Sequence, residues 1–296
     1  MDVKTKILGM IQKRESTIPS LSAVMDNLIS ISRDDKTTTE ELAKVISHDP
    51  AMTDKLVTLA NSLYYAQKNK IETMKRAVTV IGFDETIGIA LAIGILTEIT
   101  GKKKLPLDMK ALWIHNIGVA TAAKSLAMRT NPGIASKIFI PAFLHDIGKL
   151  VFALYFTPDY YKVRQFALEN KKPLYQTETG LMQVDHAVLT GLLMKRWNFP
   201  KSIMLPCRFH HSPESSPVQL RYHSLIINLA DYLTQKAGIG YSGNPVPVTV
   251  KNSPKKIGLN ESVLRLTIDQ LKRKEPAIKE FYGITTKQAP LQSDGV

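Results

Sequence analysis

The chain has 296 residues, a formal net charge of +13, 44% hydrophobic and 22% charged residues, and one cysteine, Cys207. Its length permits a substantial core in two lobes, and one cysteine excludes an internal disulfide framework. No apolar run is long enough to span a bilayer, and the N-terminus MDVKTKILGMIQKRES lacks a signal-peptide core, so a cytoplasmic chain without a membrane partner is predicted.

Helical signals dominate from the start. Thr38-Thr39-Glu40-Glu41 has the form of a capping box and opens a run with Leu42, Val45 and Ile46 at helical spacing. Asp49-Pro50 suits an N-cap followed by proline at the first helical position. Helical patterns continue over 74–82 and 84–100, and the apolar stretch 87–96 reads as a buried helix. GKKKLPLD at 101–108 combines glycine, proline and a charge run, and marks a lobe boundary.

Five helices are predicted beyond it. One over 109–128 carries His115, one over 134–155 carries His145, Asp146 and Lys149, and one over 178–197 carries His186. A short fourth ends at His210-His211, just before Ser212-Pro213, and a fifth over 218–237 carries Asp231. A Gly/Pro-rich connector, GIGYSGNPVPVTV, leads to further helix at 259–282 and a disordered tail at 286–296. Neither a repeat nor a convincing set of strands appears, so the expected class is all-α. The predicted division is an N-terminal helical lobe at 1–104, a metal-binding helical bundle at 105–237, a connector with C-terminal helices at 238–285, and the tail.

The basic clusters Lys102–Lys104, Lys171-Lys172, Lys255-Lys256 and Lys272–Lys274 are scattered at element junctions. No recognition helix, aromatic platform or long basic arm accompanies them, so nucleic acid is not the expected partner. They read as a solvated basic surface, with attraction of an anionic substrate or partner as the alternative.

Chemistry concentrates in one set of side chains. His115, His145, Asp146, His186, His210, His211 and Asp231 are imidazoles and carboxylates, the ordinary ligands of divalent transition metals. Taken alone, His115 or His186 also fits a hydrogen-bonded core histidine. The pairs change that balance. Adjacent residues on a helix diverge by about 100°, so His145 and Asp146 suit two ions, with Asp146 bridging. The helix end before Ser212-Pro213 frees His210 and His211 to approach one ion. Lys149, three residues after Asp146, shares its face and reads either as a solvated lysine or as a partner of Asp146 or of a phosphate. Gly148 weakens its helix, which points to the close approach of another element. A nitrogen-rich set suits iron or manganese, with zinc or nickel as further choices, rather than calcium or magnesium. Two such ions favour phosphoester hydrolysis.

At HDIGK the sequence resembles the HD superfamily of metal-dependent phosphohydrolases. DPAMTDKLVTLANSLYY, IETMKRAVTVIGFDETIGIALAIGI, HAVLTGLLMKRWNFP and HHSP together resemble its HDOD branch of bacterial signalling proteins, over about residues 15–237. The resemblance implies an HD-type helical bundle packed on an N-terminal helical bundle. It assigns His115, His145, Asp146 and Asp231 to a first metal position, and Asp146, His186, His210 and His211 to a second. It implies hydrolysis of a phosphorylated or cyclic nucleotide by a hydroxide between the ions, with Asp146 and Lys149 as catalytic residues. Its alternative is a non-catalytic signalling module whose N-terminal lobe binds a protein partner. HD-GYP phosphodiesterases carry a glycine-tyrosine-proline segment soon after their paired histidines; SPESSPVQL stands here instead, so cyclic di-GMP does not carry over as substrate.

Among the remaining residues, His48 reads as a helix-end group, and Cys207 as a small buried side chain. Trp113 and Trp197 read as core anchors, and Asp185 as exposed. His223 lies within reach of Asp231, and Glu178 of a metal-bound water.

Overall fold

The computed structural model describes residues 5, 9, 18, 20–34, 36–100 and 107–286, and every regular element among them is a helix. The all-α expectation holds. The predicted lobe boundary at 104/105 and all of the predicted tail except Thr286 lie outside the described residues.

Side-chain caps set the N-terminal elements. Helix α1 (Ala23–Ile31) precedes α2 (Thr39–Ser47), where the Thr38 hydroxyl accepts the Glu41 amide at 3.2 Å and the Glu41 carboxylate accepts the Thr38 amide at 2.7 Å. Two of the helix's unpaired N–H groups are thereby satisfied reciprocally. Helix α3 (Pro50–Ala60) begins as its sequence indicates, with Asp49 accepting the Met52 amide at 2.9 Å and proline in the first turn. His48 is the C-cap of α2. Helix α4 (Met74–Ile81) stops at Gly82, whose φ of 100° turns the chain sharply into α5 (Phe83–Thr100).

Residues 87–95 of α5 are almost wholly buried because the helix packs on α1 on one side and α7 (Phe139–Leu144) on the other. A helix apolar all round belongs in such a position. Among the described residues no single helix is both long and apolar enough to cross a membrane.

Helix α6 (Met109–Thr130) is the hub of the second half. It packs on α7, on α13 (Val218–Ala237) and on α15 (Glu261–Thr286). Around the far side run α8 (Gly148–Tyr155), α9 (Thr157–Glu169), α10 (Leu174–Met182), α11 (His186–Arg196) and α12 (Lys201–Arg208). A short α14 (Ser253–Lys256) follows the connector. Trp113 lies buried against Phe143, ring centroids 5.1 Å apart, which ties α6 to α7. Trp197 is also buried, as expected of an anchor.

The C-terminal helix belongs to the same core. Phe281 is fully buried and meets Tyr64 at 5.2 Å and Phe143 at 6.0 Å. It joins α15, the segment after α3 and α7. Phe281→Ala leaves a cavity at that junction and is expected to cost about 3–5 kcal/mol, read as a lower urea midpoint with an unchanged slope.

Candidate metal centre

The predicted helix over 134–155 is in fact two helices, α7 and α8, separated by a tight turn at 145–147. The turn carries i→i−3 bonds: Ile147 N–H to Leu144 at 3.2 Å, Lys149 N–H to Asp146 at 3.0 Å, and Leu150 N–H to Ile147 at 3.0 Å. Such tight winding eclipses residues three apart, which sets Lys149 against Asp146. Gly148 explains the break. Its amide donates to the Thr190 hydroxyl at 2.9 Å, and a Cβ there would lie 2.1 Å from the His186 carbonyl oxygen. Helix α11 therefore presses directly on this backbone, the close approach that Gly148 implied.

The predicted helix over 178–197 is also two, α10 and α11. Gln183 adopts φ 62°, and Asp185 caps α11 by accepting the Val188 amide at 2.7 Å, so Asp185 is a half-buried cap rather than an exposed residue. His186 thus opens a helix, with an amide that lacks an intrahelical partner. Glu178 supplies it, accepting that amide at 2.9 Å and the His186 Nδ1–H at 2.5 Å.

These breaks bring the predicted residues together. His115, His145 and Asp146 each offer a ligand atom within 4.8 Å of the others, and so do His186, His210 and His211. Asp231 joins the first group, its Oδ1 3.0 Å from His115 Nε2. Asp146 joins the two: Oδ2 lies 3.4 Å from His145 Nε2, and Oδ1 lies 3.1 Å from His186 Nε2. His186 and His211 approach through their Nε2 atoms at 2.9 Å. Six of the seven side chains belong to residues no more than 4% exposed; His211 is half-buried, with Tyr175 stacked on its ring at 4.2 Å.

Hydrogen bonds fix which nitrogen faces inward. His145 Nδ1–H donates to the Ala142 carbonyl at 2.8 Å, and His210 Nδ1–H to the Cys207 carbonyl at 2.7 Å. Each ring therefore presents a bare Nε2 lone pair. Those two atoms, both ring nitrogens of His115 and Oδ1 of Asp146 are buried without a hydrogen-bond partner, although Asp231 and His186 stand close by. Buried polar atoms left in such numbers are unusual, and divalent cations would satisfy those that face inward, with one nitrogen from each ring. The residues fit a metal.

Lys149 is buried and donates to Asp146 Oδ2 at 2.6 Å and to the Ser242 carbonyl at 3.0 Å. It is a partner of Asp146, not a solvated lysine. Burial opposes the Asp146 charge, but His145, Lys149 and His186 outweigh it and hold this carboxyl well below its ordinary range. Burial depresses His145 and His211, and takes His210 down to about 3. Burial also pulls His186 down, but Glu178, with help from Asp146, reverses the balance and pushes it up to about 9.

Several contributors carry little sequence signal. Glu178 holds the His186 ring and is itself held by the Tyr160 hydroxyl at 3.1 Å, so both its carboxylate oxygens are engaged within the protein. Gln235 donates to Asp231 Oδ1 at 2.7 Å. The connector is a wall of the site: Gly240, at φ 63°, lies where a Cβ would meet the Ala111 oxygen at 2.4 Å, Tyr241 N–H donates to that same oxygen, and Ser242 receives Lys149. Its glycines were the available clue. His223 turns away and lines a separate cavity with Ile140 and Ile203. Cys207 is fully buried, its thiol directed at the Pro141 carbonyl.

The sequence matches the HDOD domain profile over residues 18–213. An uncharacterized protein of Treponema pallidum (strain Nichols) is 23% identical over 227 residues, covering 76% of this chain and 43% of that relative. The chain thus spans less than half the length of that curated relative. An HDOD domain protein with unknown function from Geobacter sulfurreducens has a TM-score of 0.79 at 22% identity, with 97% of each chain covered. A candidate phosphohydrolase from Shewanella amazonensis SB2B has a TM-score of 0.72 at 17% identity, covering 95% of this chain and 98% of its own. At these identities the structural likeness is one of fold.

The shifted histidines set a pH dependence of stability. Burial holds His145, His210 and His211 neutral in the fold, whereas the unfolded chain protonates them near 6.5, so stability falls as pH drops below that value, for His210 down to about 3. His186 acts in the opposite sense: its contribution is full below 6.5 and is lost as pH rises through about 9. Three outweigh one on the acid side. Urea titration of chelator-treated protein is expected to give a lower midpoint at about pH 5 than at about pH 7, with a smaller drop in His210→Asn.

Proposed function

The chain belongs to the HDOD family, and from that premise we infer that it hydrolyses phosphoesters, of the phosphorylated or cyclic nucleotide class, with two divalent transition ions. The observation that carries this reading is the pair of buried Nε2 lone pairs on His145 and His210, each fixed inward by an Nδ1–H bond to a backbone carbonyl. His115, His145, Asp146 and Asp231 would hold one ion, and Asp146, His186, His210 and His211 the other. The donor set favours iron or manganese, with zinc or nickel as further fits. Bound there, the ions supply Lewis acidity to a phosphate and a strong nucleophile from water at neutral pH.

The chain's own groups do the arranging. Lys149 keeps Asp146 ionised and directs its two oxygens to different sides. Glu178 fixes the orientation of the His186 ring through Nδ1, so that Nε2 faces Asp146. The half-buried edge formed by His211 and Tyr175 is the side from which a phosphoester approaches. The basic net charge favours such an anion.

A second reading has one observation in its favour. A catalytic metal keeps an open position, whereas most of this cluster is sealed. In that reading the ions are structural and the N-terminal lobe serves a signalling protein partner.

Anaerobically purified protein is expected to carry about two transition ions per chain by mass spectrometric metal analysis. Asp146→Ala is expected to lose most of both, and His210→Ala to lose about one. Less than about one ion in the unaltered chain would refute the dinuclear reading. Metal-replete protein should cleave bis-4-nitrophenyl phosphate or a nucleotide from a phosphodiester panel, with no turnover in Asp146→Ala; full occupancy with a silent panel selects the structural reading. Glu178→Gln is expected to weaken metal binding by about 10–100-fold, read by chelator competition.

A further inference from the structure

A cavity of about 460 Å³ opens along the C-terminal half of α6, beyond His115, between the segment after α3, α6 and α15. That volume lies in the range of small-molecule sites. None of the seven candidate metal ligands lines it.

Its interior is aromatic and internally satisfied. Tyr64 and Tyr65 meet edge to face at 5.0 Å, and Tyr64 is backed by the buried Phe281. Both hydroxyls are occupied: Tyr64 is bonded to Thr121 at 2.7 Å, and Tyr65 donates to Glu85 at 2.8 Å. The other oxygen of the buried Glu85 takes Lys124. Ser125 donates to Gln270 at 3.0 Å. No charge is left over inside, and the rings of Tyr64 and Tyr65 are the aromatic surface that the walls offer a ligand.

The mouth is different. Arg129 and Arg273 line it, both exposed and without an ion-pair or hydrogen-bond partner among the described residues. Lys274 stands beside them, its ammonium 5.4 Å from the centre of the Tyr64 ring. Four cations thus face one carboxylate, which Lys124 already neutralises. Two unpaired guanidinium forks at the rim of an aromatic slot match a flat apolar body carrying a phosphate head.

We propose that this cavity is a second ligand site that binds a small aromatic phosphate, its ring against Tyr64 and Tyr65 and its head on Arg129 and Arg273. It stands independently of the hydrolytic reading. Its wall includes Thr121 and Ser125 of α6, the helix that carries His115.

The test uses 1-naphthylphosphonate, a fluorescent aromatic phosphonate whose C–P bond resists phosphoester hydrolysis, titrated into the full chain with and without chelator treatment. Saturable binding is expected in both preparations. It is expected to weaken by about tenfold in Arg129→Gln/Arg273→Gln and to vanish in Ser125→Phe, which fills the cavity. The arginine variant changes exposed residues only, so it decides the matter even if Ser125→Phe does not fold. Inorganic phosphate and 1-naphthalenemethanol should each compete poorly. The proposal is overturned if no saturation occurs by about 1 mM, if the arginine variant binds as the unaltered chain does, or if chelation alone abolishes binding, which places the probe on the metal cluster. Equal binding of the uncharged alcohol also sinks it.

Discussion

A carboxylate sealed from water is costly unless positive or hydrogen-bonding groups surround it, and Asp146 is 1% exposed. The arrangement of the second half follows from meeting that cost. Lys149 must stand within reach, so the chain winds tightly from 145 to 147 instead of continuing as one helix. His145 and His186 must flank the two oxygens, so α11 has to press on the turn, and Gly148 admits it. Lys149 then needs a second acceptor, which the connector provides through Ser242.

The same logic repeats one layer out. His186 is held by Glu178, and Glu178 by Tyr160, so a ring on α11 is anchored through α10 to α9. Asp231 is approached by Gln235, whose side-chain oxygen receives Asn244 from the connector at 3.3 Å. His145 and His210 use the backbone of their own segments. Rigid support of this kind lets lone pairs stand unpaired at the centre.

Much of this was legible in the sequence because the signals are local. The capping box at Thr38, the Asp49-Pro50 start and the span of α13 all come from residues a few positions apart. The candidate ligands stood out because the chain has seven histidines, and five of them belong to that set. What escaped depends on contacts distant in sequence. The breaks at 145–147 and 183–185 are made by Thr190 capturing the Gly148 amide and by Glu178 capturing His186, and apolar periodicity runs through both without a mark. The connector read as a spacer because its polar work is done by a backbone carbonyl, which every residue possesses. Asp185 looked like a surface charge, yet it starts a helix.

Gly148 has a consequence for selectivity. A side chain as small as a methyl cannot be inserted between its Cα and the His186 carbonyl. The two segments bearing the central carboxylate and its flanking imidazole are therefore already in van der Waals contact, and their spacing is a hard stop rather than a spring. For an ion held between Asp146 and His186, as proposed above, that contact would bar the two backbones from drawing closer, so a smaller ion could be met only by movement of the side chains.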